Sequence, residues 1–349
     1  MLQLICVLCV PNEEGTYYGL STPLDINHYF SKAPESAATN ASVKGLPNRP
    51  GPAPQIPRRG GPIQKRSIPH VKKVLAVASG KGGVGKSTVA VNLAFSLAMS
   101  QKAGSPRLRV GVLDLDIFGP SIPKLMGLES AEEPHLTKEG AIVPLKNHGL
   151  PCMSMGFLLP RPPGAESSAD TPVVWRGLMV QKAVQQLLFD VDWREQDGDA
   201  GLDVLVIDMP PGTGDVPLTL GQLVNVDGAV IVSTPQDVAL TDVRKGVAMF
   251  QKISVPIAGL LLNQAYFLCP SCSTPHNLFG SPDSFHAIAK RLDIDVLGEL
   301  PVVSAVSASG DHGVPYVLGS DGTNASGDSG RVWKDVMSGV AHNVRQFWS

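Results

Sequence analysis

The chain has 349 residues and a formal net charge of −2, so no overall charge directs it to nucleic acid or to an anionic membrane surface. With 43% hydrophobic residues it can bury a sizeable core, which excludes disorder throughout. Five cysteines, an odd and small number, exclude a disulfide scaffold and point to a reducing compartment, where a cysteine pair reads first as metal or redox chemistry.

The near-neutral total hides an asymmetry. Ser36 to Leu113 contains 13 Lys or Arg and no Asp or Glu, leaving a net charge of −15 on the other 271 residues. Met1 to Val10 is apolar but lacks a basic flank, and Asn12, Glu13 and Glu14 follow where a secretory signal needs a small-residue cleavage site. No apolar run reaches the roughly 18 residues of a membrane span, so no stable membrane insertion is expected. From Gly45 to Pro69, 11 of 25 residues are Gly or Pro, punctuated by Arg58, Arg59, Lys65 and Arg66. Such a stretch cannot repay its ordering entropy by burial. Residues 1–70 are therefore expected to be a flexible basic leader, compatible with an organelle transit region or with a solvated tail.

From Val71 short apolar runs alternate with helical segments. Strands are expected at Lys73 to Ala78, Val110 to Leu113, Asp203 to Ile207, Ala229 to Ser233, Ile257 to Leu262 and Val296 to Leu300. Each is nearly all apolar, the pattern of parallel strands covered on both faces. Helices are expected at Ser87 to Ser100, Leu178 to Val191, Thr241 to Lys252, Ser284 to Leu292 and Val332 to Phe347. The alternation defines one α/β domain, 71–349, built on a single doubly wound, mostly parallel sheet, with surface insertions near 160–172, 195–201 and 319–330.

Directly after the first strand the chain reads Gly80-Lys81-Gly82-Gly83-Val84-Gly85-Lys86-Ser87-Thr88, and a helical stretch follows. This is G-x-x-x-x-G-K-S in its required strand-loop-helix context. The glycines let backbone N–H groups turn toward phosphate oxygens, Lys86 reaches the β- and γ-phosphates, and Ser87 offers a hydroxyl to magnesium. The added Lys81 resembles the deviant Walker A motif of the MinD, Mrp and nitrogenase-iron-protein ATPases. That resemblance implies a lysine that reaches the partner's nucleotide across a dimer, and hydrolysis that depends on dimerisation. Asp208, at a strand end before Met209-Pro210-Pro211-Gly212, fits a second magnesium-holding position. Asp116 in Asp114-Leu115-Asp116 would orient the attacking water, and Gly212 would offer its N–H to the γ-phosphate.

Further segments resemble one branch of that group, the Mrp/NUBPL iron–sulfur carrier ATPases. They are Asp116-Ile117-Phe118-Gly119-Pro120-Ser121-Ile122-Pro123, Met153-Ser154-Met155-Gly156, Trp175-Arg176-Gly177, the run from Asp208 to Asp215, and Cys269-Pro270-Ser271-Cys272. Two thiolates two residues apart chelate a metal but underfill a tetrahedral zinc site or a four-iron cluster. A symmetric dimer supplies the other two, and the resemblance implies a labile [4Fe–4S] cluster held between subunits by Cys269 and Cys272 of each. A thioredoxin-like redox pair and a dimer-bridging zinc remain open from spacing alone. Cys6 and Cys9 share the spacing but sit in an apolar leader without further ligands, and Cys152 reads as a small core residue.

The leader from Gly45 to Pro69 resembles that of the mitochondrial NUBPL-type branch, whose members deliver clusters to respiratory complex I. The resemblance thus implies a homodimeric, weakly hydrolysing ATP-dependent carrier of the mitochondrial matrix, with the cytosol as alternative, acting on apo iron–sulfur clients such as complex I subunits. Asn263 is expected at the base edge, although Asn263-Gln264-Ala265 departs from the family's usual Asn-Met-Ser. Two rivals share the nucleotide site: a MinD- or ParA-like positioning ATPase, and a redox-regulated ATPase with a Cys269–Cys272 disulfide. The first calls for a basic amphipathic C-terminal helix, and Arg331 to Ser349 holds only Arg331, Lys334 and Arg345 as basic residues.

Overall fold

The computed structural model describes residues 64–101, 106–158, 177–194, 200–319 and 327–349. Its centre is an eight-stranded sheet formed by β1 (Val71–Ser79), β2 (Val110–Asp114), β3 (Leu145–Asn147), β4 (Leu150–Ser154), β5 (Leu202–Asp208), β6 (Gly228–Ser233), β7 (Ile257–Leu262) and β10 (Val296–Glu299). The spatial order is β10-β7-β6-β1-β5-β2-β4-β3, and every neighbouring pair is parallel except β3 with β4. A second, two-stranded antiparallel sheet pairs β8 (Phe267–Leu268) with β9 (Pro275–His276).

Five of the six apolar runs read as strands lie inside this sheet and the sixth, β10, forms one edge, and β2 and β6 are buried at every residue. Two-sided burial explains why those strands show no alternation of polar and apolar residues. Helices cover the faces: α1 (Lys86–Met99), α2 (Ile122–Leu125), α3 (Gly177–Phe189), α4 (Asp215–Leu223), α5 (Asp237–Lys252), α6 (Asp283–Leu292), α7 (Ser304–Asp311) and α8 (Gly327–Phe347). No helix among the described residues is long and apolar enough to cross a membrane.

Helix α8 buries Trp333, Met337, Val340, Ala341 and Val344, a stripe at helical spacing. Trp333 also meets Tyr316 edge to face at 5.3 Å. The apolar face that a membrane-anchoring helix would need is therefore already covered. This helix begins at Gly327, so the last residues of the expected 319–330 insertion are helical; residues 320–326 lie outside the described residues, as do 159–176 and 195–199.

The chain joins the fold ahead of the expected boundary at 70. Arg66 forms a bridge to Val224, stacks its guanidinium 3.5 Å from the centre of the Phe189 ring, and is followed by the fully buried Ile68. Cation–π contact and apolar burial both order this segment, and Gly/Pro content alone gave no sign of either. The leader up to residue 63, with Cys6 and Cys9, lies outside the described residues.

Candidate functional site

Strand β1 delivers the chain to the carboxyl edge of the sheet beside β5 and β6, where an open parallel sheet places its ligands. Residues 80–85 turn there before α1 starts at Lys86. Gly83 and Gly85 have φ of 78° and 81°, the left-handed region that side chains disfavour. A Cβ on Gly85 would also lie 2.3 Å from Asn263 Nδ2, and one on Gly80 would lie 2.4 Å from Asp242 Cβ. Ser79 Oγ donates to the Lys81 carbonyl at 2.9 Å and Asn263 Nδ2 donates to the Val84 carbonyl at 2.8 Å, so the loop is pinned at both ends. The first turn of α1 carries no acid and no side-chain cap, which leaves its amides for an anion.

Three carboxylates stand at strand ends next to this loop. Asp208 ends β5 and is fully buried; its Oδ1 accepts from Lys86 Nζ at 2.6 Å, and its Oδ2 has no hydrogen-bond partner. Burial raises its pKa, opposed by the Lys86 ammonium and by hydrogen bonds from Lys86 and Ser87. Asp116 lies 3.9 Å from the same ammonium; its pKa is raised by burial, against the pull of Lys86. Ser87 Oγ is 3.2 Å from Lys86 Nζ.

Asp114, at the end of β2 and register partner of Asp208, has a role that its sequence position did not reveal. Its Oδ1 accepts from the Asp116 amide at 2.9 Å, and its Oδ2 accepts from the Ile122 amide at 3.2 Å and Ser154 Oγ at 3.0 Å. One buried carboxylate thus clamps both ends of the loop that carries Asp116. Burial, followed by the charge of Asp208, pushes its pKa up to about 8. The first Asp of Asp-Leu-Asp was the available signal.

The phosphate loop, Asp116 and α7 line a cleft of about 440 Å³, with Lys81 exposed at its rim. Helix α7 supplies Ser307 and Asp311 to the far wall, and Asp311 pairs with Lys124 at 3.2 Å. Gly80 to Thr88, Asp116 and Asp208 thus converge on one site. Gly212 reaches the same edge, but its N–H donates to the Ser79 carbonyl at 2.9 Å and would have to leave that bond to serve a phosphate. Asn263 abuts the phosphate loop through its amide nitrogen.

The donor set fits a magnesium-bound nucleotide. The partnerless buried oxygen of Asp208 and the hydroxyl of Ser87 are hard oxygen ligands, and the glycine turn leaves space that a side chain would fill.

Cys269 and Cys272 lie in the loop between β8 and β9, six residues after Asn263 at its nearer end. The Cys269 N–H donates to the Thr274 carbonyl at 3.0 Å and its carbonyl accepts from Ser273 at 2.8 Å, with Ser273 at a left-handed φ of 53°. The two thiols are unpaired; Cys269 is half-buried and Cys272 is exposed. Cys272 Sγ lies 3.2 Å from Thr274 Oγ1, and hydrogen bonds from Thr274 lower its thiol pKa. Cys152 is buried in β4, and burial pushes its pKa up to about 12, as for an inert core thiol. Among the described residues no group of three or more His, Cys, Asp or Glu can hold a metal, so the pair has no third such ligand among them.

A parallel sheet with a two-lysine phosphate loop at the end of β1 and acids at the ends of β2 and β5 defines a P-loop NTPase of the MinD and ParA type. The MinC:MinD cell division complex of Aquifex aeolicus shares this fold at 17% identity and a TM-score of 0.51, covering 78% of this chain and 96% of that one. A nucleotide-binding protein of Archaeoglobus fulgidus, solved with ADP, is 35% identical with a TM-score of 0.57, over 70% of this chain and 88% of that one. The family model of ParA, the NUBPL iron-transfer P-loop NTPases, matches residues 70–337, and the chain belongs to that family. Its relatives include the iron-sulfur cluster transfer protein NUBPL of Mus musculus, 45% identical over 291 residues and 83% of each chain. Another is the mitochondrial iron-sulfur protein required for NADH dehydrogenase of Arabidopsis thaliana, 40% identical over 82% of this chain and 83% of that one.

Proposed function

We propose that this protein is an ATP-dependent carrier that holds a labile [4Fe–4S] cluster between two copies of the chain and passes it to apo-proteins of the mitochondrial matrix, among them subunits of complex I. The observation that carries the reading is the Cys269–Cys272 hairpin, which offers two thiols and, among the described residues, no further ligand. Two such hairpins complete a four-thiolate site. The names of the mouse and Arabidopsis relatives support the cargo and the client class.

In this reading Ser87 and Asp208 hold magnesium, which would neutralise charge on the β- and γ-phosphates when bound. Lys86 leaves Asp208 for the phosphate oxygens, and the α1 amides take the β-phosphate. Asp116, held by the Asp114 clamp, orients the attacking water. Lys81, exposed at the rim, reaches the nucleotide of the second copy. Asn263 ties the two functions together, because its side chain bonds the phosphate loop while its backbone leads into the cysteine hairpin. A shift of the loop on nucleotide binding is thereby transmitted toward the cluster ligands. A MinD-like membrane switch is disfavoured by the packed apolar face of α8.

The test is anaerobic reconstitution with iron and sulfide. Wild type is expected to retain both and Cys269→Ala and Cys272→Ala to retain neither; equal retention by the variants would defeat the assignment.

A further inference from the structure

Delivery of a cluster is a ligand exchange, and the two thiols that hold it are not equivalent. Cys269 is half-buried, and its N–H and carbonyl are both tied into the hairpin loop, by Thr274 at 3.0 Å and Ser273 at 2.8 Å. Cys272 is exposed, and its sulfur faces the hydroxyl of Thr274 at 3.2 Å. As a thiol Cys272 donates to that hydroxyl; as a thiolate it accepts from it, because a hydroxyl rotates to suit.

We propose that Thr274 makes Cys272 the releasing ligand, so that transfer to a client begins at Cys272 and ends at Cys269. This rests on the cluster-carrier reading above. Hydrogen bonds to a thiolate are strongest when its full negative charge sits on sulfur and weaker while it shares electron pairs with iron. Thr274 therefore stabilises the departed thiolate more than the bound one, which lowers the barrier to leaving. Exposure admits the incoming group at the same sulfur.

In the exchange a client cysteine thiolate, having lost its proton to solvent, donates an electron pair to iron and forms the new Fe–S bond. The Fe–S bond to Cys272 breaks, and the sulfur keeps its electron pair as a thiolate that takes a hydrogen bond from the Thr274 hydroxyl. No electron is transferred, and the oxidation state of the cluster is unchanged. Cys269, fixed at the hairpin base, keeps the cluster on the carrier until the client has gained its first ligand.

The experiment compares full-length wild type, Thr274→Val and Thr274→Ser, each reconstituted anaerobically and mixed with an apo-ferredoxin of the [4Fe–4S] type. Iron and sulfide content is read before mixing, and the rate of cluster appearance on the ferredoxin after it. Thr274→Val keeps the shape but loses the hydroxyl; it should load as wild type does and transfer about tenfold more slowly, the size expected for one hydrogen bond to a charged group. Thr274→Ser should load normally and transfer within about twofold of wild type, since its hydroxyl donates the same bond. Transfer from Thr274→Val at the wild-type rate overturns the proposal, as does a loss of loading confined to that variant, which would make Thr274 a retaining group. Failure of wild type itself to load iron and sulfide removes the carrier reading and this proposal with it, a result distinct from either of the others.

Discussion

Lys86 Nζ lies 2.6 Å from Asp208 Oδ1, and both side chains are buried. The pair places the cation proposed to meet the phosphates against the carboxylate proposed to hold magnesium, and in that reading ligand entry separates them. Removing one partner of such a pair leaves a buried charge uncompensated, at a cost of about 3–5 kcal/mol, whereas removing both costs far less. Lys86→Met and Asp208→Asn should each lower the stability of nucleotide-free protein by about 3 kcal/mol. The double variant should lose clearly less than their sum in urea unfolding, and additive losses would show that the pair is not coupled.

Gly85 combines a left-handed φ of 81° with a Cβ position 2.3 Å from Asn263 Nδ2. Gly85→Ala therefore meets backbone strain of about 1–2 kcal/mol and a collision as well. In an Asn263→Ala background the collision is removed and the strain stays. Unfolding titrations should show a smaller penalty for Gly85→Ala in that background than in wild type. Equal penalties would mean that Asn263 does not bear on the loop.

Asp203 sets a pH dependence at the other end of the sheet. Burial alone would raise its pKa, but hydrogen bonds from Arg109 and Lys72 outweigh burial and hold it well below the usual carboxylate value of 3.8. A depressed folded pKa gives stability that is present above the ordinary pKa and lost as pH falls through the folded one. Asp203→Asn should lower the melting temperature at neutral pH, and its gap from wild type should narrow below about pH 4. A gap that stays constant down to pH 2 would contradict this.

Asp114 has the opposite sign. Its pKa, pushed up to about 8 by burial and by the charge of Asp208, gives a contribution fully present below the ordinary carboxylate range and lost as pH rises through 8. Stability of the nucleotide-free protein should therefore fall between about pH 4 and 8 and level off above that, and Asp114→Asn should flatten that fall. The same slope in both proteins would rule out Asp114 as its source.

The phosphate loop and the five inner strands β1, β2, β5, β6 and β7 were legible because each depends on local signals: a fixed glycine and lysine spacing, and runs made continuous by burial on both faces. The cysteine pair was legible as spacing. What escaped was set by tertiary contact. Strand β3 is a three-residue edge element, β4 beside it is short and holds Pro151, and α7 contains Ser, Gly and no fully buried residue, so none has a clear apolar period. The clamp by Asp114 and the bond from Asn263 to Val84 join residues 8 and 179 positions apart, which no motif records. Thr274 was missed because a hydroxyl two residues past a cysteine carries no pattern of its own.

A cluster shared between two chains gives the protein a distinctive spectrum and stoichiometry. Visible absorption and EPR spectra of the anaerobically reconstituted protein, taken with its molar mass in solution, test it most directly. The expected result is a dimer with thiolate-to-iron charge-transfer absorption and one four-iron cluster for every two chains. A monomer without that absorption, or a monomer that carries a complete cluster alone, would contradict it.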